Sequence, residues 1–226
     1  MSDGKYYLGG YYLAQQNLLL PHPILTISSC LNTIFPAEWA LEWVQTNKEE
    51  KEKIKQELKI SEQQYKKIQQ WCTQSFEQEF EWPNIFSIKE SARQIYSQFF
   101  SHLNHVKLLG LYLPEENLER MLEYLLGKEN IGYGIYKQLQ KKIIEEKKGK
   151  VIGFDILGFE VGGSPHCFAC NGLEKDYKEK FGIIFNEHGL FSSYEDGEKV
   201  IDYTNDEKTR AEPVLWSVWK VKEFAL

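Results

Sequence analysis

The sequence predicts an α+β fold, in which both ends of the chain form a mixed, largely antiparallel sheet and the middle of the chain forms a helical layer. Residues 1–35 and 150–226 consist mainly of short apolar and aromatic segments typical of strands, whereas residues 36–149 mainly repeat apolar residues at helical spacing. The 226 residues, 42% of them hydrophobic, are enough to bury a sizeable core. Since no internal repeat or low-complexity linker divides the chain, we expect residues 1–226 to form one domain, with the helices on one side of the sheet.

The N-terminal region contains two aromatic runs separated by two glycines. The YYL sequence of residues 6–8 precedes Gly9 and Gly10, and residues 11–13 repeat it. Because glycine tolerates positive φ, the pair can form a tight hairpin turn. Alternatively, the whole segment is one long strand with a bulge at the glycines. Residues 23–28 predict a second short strand.

Three pairs of residues in the helical block have capping-box spacing, in which a small polar residue is followed three positions later by a carboxylate or an amide. They are Asn47 with Glu50, Ser61 with Gln64, and Ser87 with Glu90. Pro36 and Pro114 each suit the start of a helix. Residues 133–147 predict a further helix, because isoleucine and leucine recur there at helical spacing. A strand over residues 105–113 interrupts this block.

The C-terminal block predicts mostly β-structure. The expected strands cover residues 151–160, 182–185, 199–203 and 214–222. The sequence Glu195-Asp196-Gly197 predicts a turn before the third of these strands, and residues 172–180 predict a helix.

The net charge is −6, from 27 basic and 33 acidic residues, and the acidic excess lies entirely after residue 150. That segment contains 14 acidic and 8 basic residues, which leaves 19 of each sign in residues 1–150. An acidic surface repels phosphate backbones, so the charge disfavours nucleic-acid binding and favours a basic protein partner.

No secretory leader is visible, and no apolar run approaches the roughly 20 residues needed to cross a bilayer. We therefore expect a cytoplasmic protein with no membrane partner. Its 4 cysteines should then be reduced thiols rather than a disulfide framework.

The clearest candidate for chemistry is a His-Cys-x-x-Cys cluster formed by His166, Cys167 and Cys170. Structural zinc usually requires a second Cys-x-x-Cys pair, and Cys30 and Cys72 are isolated, so we expect no metal and no cofactor. The turn could instead be redox-active, with the predicted helix after it, or could supply a Cys–His nucleophile pair. The simplest interpretation is that both thiols pack under the turn with Phe168.

Asp155 lies inside the apolar strand predicted over residues 151–160. A buried carboxylate must be paired or have a raised pKa, which is how general acids are made. It could equally face an edge of the sheet or accept backbone hydrogen bonds. The preferred interpretation of the chain has no catalytic residue. The alternative is a small enzyme that uses His166, Cys167, Cys170 and Asp155.

Residues 187–212 contain eight acidic and three basic residues, with aromatic residues among and just after them. Such a segment is either a solubilising surface or a docking surface for a basic protein, because rigid rings within a charged surround are typical of interface hot spots. On the second interpretation, the partner-binding residues are Glu195, Asp196, Glu198, Asp202, Tyr194, Tyr203 and Trp216.

In overall character the chain resembles the immunity proteins that bacteria make against polymorphic toxins. The resemblance rests on the acidic, aromatic-rich α+β composition and on residues 151–177, which include GFDILGFE and HCFACNGLEKDY. It implies a protein without an active site that binds and occludes a toxin domain, often a basic nuclease. It assigns no functional residue.

Overall fold

The computed structural model describes residues 4–15, 25, 48–81, 85–127, 134–161 and 165–226. Within these residues, seven strands form one sheet in which every neighbouring pair is antiparallel. The strands are β1 (Tyr6–Gln15), β2 (Phe80–Glu81), β3 (Ile85–Phe86), β4 (Val106–Pro114), β5 (Lys150–Phe159), β6 (Pro165–Cys167) and β7 (Leu215–Phe224). Their order across the sheet is β2-β3-β1-β4-β7-β5-β6. Together with the helices, this sheet confirms the predicted α+β class.

Seven α-helices accompany the sheet in the described part of the chain. They are α1 (Lys48–Glu57), α2 (Glu62–Ser75), α3 (Lys89–Ile95), α4 (Glu115–Leu126), α5 (Ile135–Gln140), α6 (Glu174–Phe181) and α7 (Tyr194–Thr204). α2 begins with the predicted capping box between Ser61 and Gln64. The box predicted at Ser87 is wrong, because Ile88 is the residue that precedes α3. The Ser87 hydroxyl instead accepts a hydrogen bond from the Gln138 side chain.

Both chain ends contribute strands to the one sheet, as predicted, and both strands lie inside it rather than at its edges. β1 and β7 flank β4, which comes from the middle of the chain. β1 is one continuous strand with an irregular register between Leu8 and Gly10, so the bulged strand is confirmed and the hairpin is wrong. Gly10 has a φ of +132°, and a Cβ at this position would lie 2.5 Å from the Ile85 side chain. Only glycine fits there.

Helices cover both faces of the sheet, which corrects the expectation that they pack on one side. α2 and α3 pack with Tyr11 on one face, whereas α4 and α5 pack with Tyr12 on the other. The reason lies in β1, where every residue from Tyr6 to Ala14 is buried. Because neighbouring side chains on a strand point to opposite faces, such a strand needs an apolar layer on both sides.

The C-terminal part of the chain forms its own apolar cluster, in which residues of α6 and α7 pack with β5 and β7. Its buried members are Ile156, Phe168, Leu173, Tyr177, Ile183, Phe191, Val200, Trp216 and Val218. The strands predicted over residues 105–113, 151–160 and 214–222 are confirmed as β4, β5 and β7.

α7 replaces the strand predicted over residues 199–203 and the turn predicted before it. The Ser193 hydroxyl caps the helix by accepting a hydrogen bond from the Asp196 N–H at 3.1 Å. Gly197 serves close packing rather than a turn. A Cβ at this position would lie 2.7 Å from the Val218 side chain of β7.

The helix predicted over residues 133–147 is wrong in its second half. α5 ends at Gln140, and Lys142 has a positive φ of 49°. The chain then runs beside β1, where the Leu8 N–H donates to the Ile143 carbonyl at 2.8 Å. Backbone pairing with a buried strand therefore overrides the local helical spacing.

The remaining predictions differ from the structure or fall outside the described residues. Residues 182–185 form no strand and contribute an isolated bridge between Phe185 and Phe191. Apart from Leu25, residues 23–28 lie outside the described residues, as do Pro36, Asn47 and Cys30.

Candidate functional site

Several of the predicted partner-binding residues lie on α7, beside the first turn of α4. The Asn117 side chain of α4 donates a hydrogen bond to the Tyr194 hydroxyl at 3.4 Å, which joins the two helices. We define the α4–α7 face as the surface formed by Glu116, Asn117, Tyr194, Glu198 and Asp202. Packing of α7 on β7 at Gly197 fixes the position of this surface relative to the sheet.

The α4–α7 face gathers the exposed carboxylates of Glu116, Glu198 and Asp202. None of the ion pairs among the described side chains includes these three residues. Although Glu198 is exposed as a residue, partial desolvation of its carboxyl raises its pKa. The charges of Glu116 and Asp202 raise this pKa further, against a hydrogen bond with Tyr194 that lowers it. The surroundings of Glu198 therefore disfavour its negative charge.

Tyr194 supplies the aromatic part of this face. Its half-buried ring meets Phe154 in an edge-on contact, with ring centroids 6.1 Å apart. Burial raises the pKa of Tyr194, and the charges of Glu198 and Glu116 raise it further. The phenol therefore stays protonated at neutral pH. Packing on one side and a hydrogen bond at the hydroxyl hold the ring in one orientation, which suits a contact with a partner.

Glu195 and Asp196 lie in the first turn of α7, where carboxylates stabilise the positive end of the helix dipole. Asp196 is 2.6 Å from the Lys199 ammonium, and this hydrogen bond is the main cause of the lowered pKa of Asp196. These two predicted docking residues therefore also stabilise the helix that carries them.

Tyr203 and Trp216 are tied into the structure more firmly than the sequence predicts. The Tyr203 hydroxyl donates to Asp176 at 2.6 Å and accepts from Lys180 at 2.7 Å. Trp216 is 1% exposed, and its indole N–H donates to the Glu212 carbonyl at 3.0 Å. Burial removes Trp216 from the predicted docking surface and makes it a core residue.

Sequence reasoning did not identify Glu116 or Asn117 as members of the site. Residues 1–150 carry balanced charge, so the charge pattern of the sequence gives no signal for Glu116. The consecutive acids after Pro114 do mark an exposed helix start, but no local signal places them beside Tyr194.

The two cysteines of the His-Cys-x-x-Cys cluster lie close together. Cys167 ends β6, and Cys170 belongs to a short 3₁₀ helix, Phe168–Asn171. Their sulfur atoms are 3.2 Å apart, and the Cys170 backbone N–H donates to Cys167 Sγ at 3.4 Å. Cys167 is fully buried in the core, whereas Cys170 is partly exposed. Both thiols pack as expected, since the partly exposed Cys170 lies against the same apolar cluster that contains Cys167.

His166 points away from the two sulfur atoms. Successive side chains of a strand lie on opposite faces, so His166 and Cys167 diverge. The His166 ring faces two carboxylates, with Nε2 3.1 Å from Glu160 and Nδ1 3.7 Å from Glu212. This arrangement does not provide the Cys–His pair of a nucleophilic enzyme. Among the described residues, no group of three or more His, Cys, Asp and Glu side chains is arranged to hold a metal ion.

Asp155 lies within β5, opposite Trp219 of β7, and is 1% exposed. β6 pairs with β5 only over Leu157–Phe159, and next to Asp155 the Phe154 backbone pairs with Phe191 instead. Its negative charge contributes to raising the pKa of Cys167 and of Tyr177, although burial is the larger cause for both. At this exposure the carboxylate is shielded from a substrate in solvent.

A groove of about 600 Å³ lies elsewhere, and sequence reasoning did not predict it. It is lined by Lys89, Glu90, Arg93, Glu146, Lys147, Lys148, Gly149, Phe224 and Ala225. Much of its charge is already paired. Lys89 is 2.5 Å from Glu146, and Arg93 is 3.2 Å from Glu90.

No family model, curated protein or solved structure matches this chain. In the portion of the chain that the structure describes, no helix combines the length and apolar character needed to cross a membrane.

Proposed function

We propose that the protein is a non-enzymatic binding protein of the immunity type, which neutralises a toxin by docking a basic domain of that toxin on the α4–α7 face. One observation carries the proposal, namely the exposed like-charge cluster of Glu116, Glu198 and Asp202, in which none of the three carboxylates forms an ion pair with a described basic side chain. A basic partner would supply the positive charge that pairs with these carboxylates.

The cluster has a cost in the free protein, because like charges on neighbouring helical positions repel each other. Natural proteins keep such unfavourable arrangements where function requires them. A lysine or arginine of a partner, placed between α4 and α7, would interact with the carboxylates of both helices. It would therefore favour the ionised form of Glu198, whose pKa is raised in the free protein.

Tyr194 complements these charges. Interface hot spots typically combine an aromatic residue with surrounding polar residues that exclude water, and tyrosine is among the enriched types. The Tyr194 ring is already oriented by Phe154 and Asn117, so binding would cost little side-chain entropy. Charge should thus set the association rate, and the ring should slow dissociation.

The alternative, a small enzyme, is less well supported by the geometry. His166 faces carboxylates rather than a thiol, and Asp155 is shielded from solvent. The buried Cys167 has a pKa raised well above its usual range, chiefly by burial, which disfavours the nucleophilic thiolate.

A capture experiment tests the proposal. Immobilised protein is incubated with a lysate of its native cells, and bound proteins are eluted with salt. One variant combines Glu116→Lys, Glu198→Lys and Asp202→Lys. A control variant with the same net charge combines Glu49→Lys, Glu77→Lys and Glu187→Lys, which change exposed carboxylates outside the α4–α7 face. The wild-type and control proteins should retain the same basic protein, and the first variant should lose it.

The retained protein should also be toxic when it is expressed alone and harmless when it is expressed with the wild-type chain. Equal retention of the basic protein by the two variants would show that the α4–α7 face is not its binding surface. A retained protein without toxicity would leave a binding function but contradict the immunity type.

A further inference from the structure

The pair of thiols at the end of β6, Cys167 and Cys170, is the strongest feature that the proposed function leaves unused. The Cys167 and Cys170 sulfur atoms are 3.2 Å apart in the reduced protein. A disulfide bond is about 2.05 Å long, so the two atoms need to approach by only about 1 Å to form one.

Hydrogen bonds around the turn hold the two sulfur atoms close together. The Asn171 side chain donates to the Cys167 carbonyl at 3.2 Å, and its carbonyl oxygen accepts from the Glu212 N–H at 3.2 Å. The Arg210 guanidinium donates to the Gly172 carbonyl. These hydrogen bonds attach the 3₁₀ turn to the segment that precedes β7. The two thiols can therefore react with each other with little conformational rearrangement.

The two thiols differ in access to solvent. Cys170 is partly exposed, whereas Cys167 is fully buried. Burial raises the pKa of Cys167 well above its usual range, and the neighbouring Cys170 raises it further. A thiol reagent in solvent should therefore reach Cys170 first, and Cys167 should react only with a sulfur that is already beside it.

We propose that Cys167 and Cys170 form a reversible intrachain disulfide by exchange with a small-molecule disulfide of the glutathione class, with Cys170 as the entry site. In the first step, the deprotonated Cys170 sulfur attacks one sulfur of the reagent disulfide. A mixed disulfide forms on Cys170, and one reagent thiolate leaves and takes up a proton.

In the second step, Cys167 loses its proton and attacks the Cys170 sulfur. The bond between Cys170 and the reagent breaks, and a second reagent thiol leaves. In sum, one reagent disulfide is reduced to two thiols, and the protein dithiol is oxidised to one disulfide. This modification site is independent of the α4–α7 face and does not rest on the proposed docking function.

The experiment equilibrates the native full-length chain in buffers of graded ratio between reduced and oxidised glutathione. Free thiols are then blocked at acidic pH, and each cysteine is assigned by peptide mass spectrometry. We expect the wild-type chain to lose two hydrogen masses in the peptide that contains Cys167 and Cys170, and dithiothreitol should reverse this change. The Cys167→Ser variant should instead accumulate glutathione on Cys170.

Cys72 is the internal control, because it is buried and burial raises its pKa to about 12. It should remain a free thiol throughout. In the wild-type chain, closure of the mixed disulfide should accelerate as the pH is raised, because Cys167 must lose a proton. If Cys167 and Cys170 stay as free as Cys72 in the most oxidising buffer, the proposal is wrong. The wild-type measurement decides this even if a variant fails to fold.

Discussion

Glu198 carries a negative charge where its surroundings disfavour one. Partial burial and the charges of Glu116 and Asp202 raise its pKa above the ordinary value of 4.5. An acid with a raised folded-state pKa destabilises the protein when it is ionised. The penalty is absent below the unfolded-state pKa and fully present above the folded-state pKa.

Replacing Glu198 by glutamine should therefore stabilise the free protein near neutral pH by about 0.5 kcal/mol, the size of an exposed like-charge interaction. Glutamine keeps a side-chain oxygen that can accept a hydrogen bond from Tyr194. The gain should vanish as the pH falls below about 4.5, where Glu198 is protonated. Urea unfolding of the variant at neutral and at acidic pH, beside Glu49→Gln as an exposed control, measures the gain in free energy of unfolding and its loss at low pH. A gain that persists at low pH would show that charge is not its cause.

Trp216 illustrates the opposite case, a residue that sequence reasoning places at the surface and the structure places in the core. It is 1% exposed, and its indole N–H donates a hydrogen bond to the Glu212 carbonyl. Trp216→Ala should therefore cost about 3–5 kcal/mol of stability, as for other large buried side chains. Trp216→Phe keeps most of the apolar volume and should cost distinctly less. The shift in urea midpoint compares the two variants, and a small shift for Trp216→Ala would contradict the burial.

At the scale of elements, α7 shows where sequence patterns mislead. Glu195, Asp196 and Gly197 have the composition of a turn, and the following residues include the β-branched valine and isoleucine typical of strands. The helix signal is the Ser193 cap, which is weak without knowledge of what α7 packs against. Gly197 packs against Val218, which lies 21 positions later in the sequence, so no local sequence pattern predicts this packing.

Gly197→Ala tests this packing. In an exposed helix, alanine is more stable than glycine by about 0.5–1 kcal/mol. Here a Cβ would lie 2.7 Å from the Val218 side chain, which is fully buried and stiff because it is β-branched. The clash should prevail and cost about 1–3 kcal/mol. Lys199→Ala removes only the exposed ion pair with Asp196 and should cost less, about 0.2–1 kcal/mol. A stabilised Gly197→Ala variant would argue against the close approach of α7 and β7.

For the whole molecule, the sequence predicts that one sheet contains strands from both chain ends, but it does not predict that helices cover both faces of that sheet. Aromatic runs near both chain ends predicted strands, and β1 and β7 do lie in one sheet. The distribution of helices over both faces depends on β1 being buried on both sides. The YYLGGYYL sequence is consistent with that burial, but it is equally consistent with a hairpin.

The α4–α7 face was predictable only in part for the same reason. Its α7 residues stand out by charge, whereas Glu116 joins them through the fold. Net charge by segment of sequence is therefore a poor guide to charge by surface. The like-charge cluster forms only when β4 and β7 pair, because these strands carry α4 and support α7.

The proposed docking is tested most directly by the association rate of the captured basic partner with this protein, measured by stopped flow over a series of salt concentrations. The variant with Glu116, Glu198 and Asp202 replaced by lysine should associate at least about tenfold more slowly than wild type at low salt, with a flatter salt dependence. The association rate of the control, in which Glu49, Glu77 and Glu187 are replaced by lysine, should fall much less. If the two variants show the same rate and the same salt dependence, the α4–α7 face is only a solvated surface, and the partner docks elsewhere.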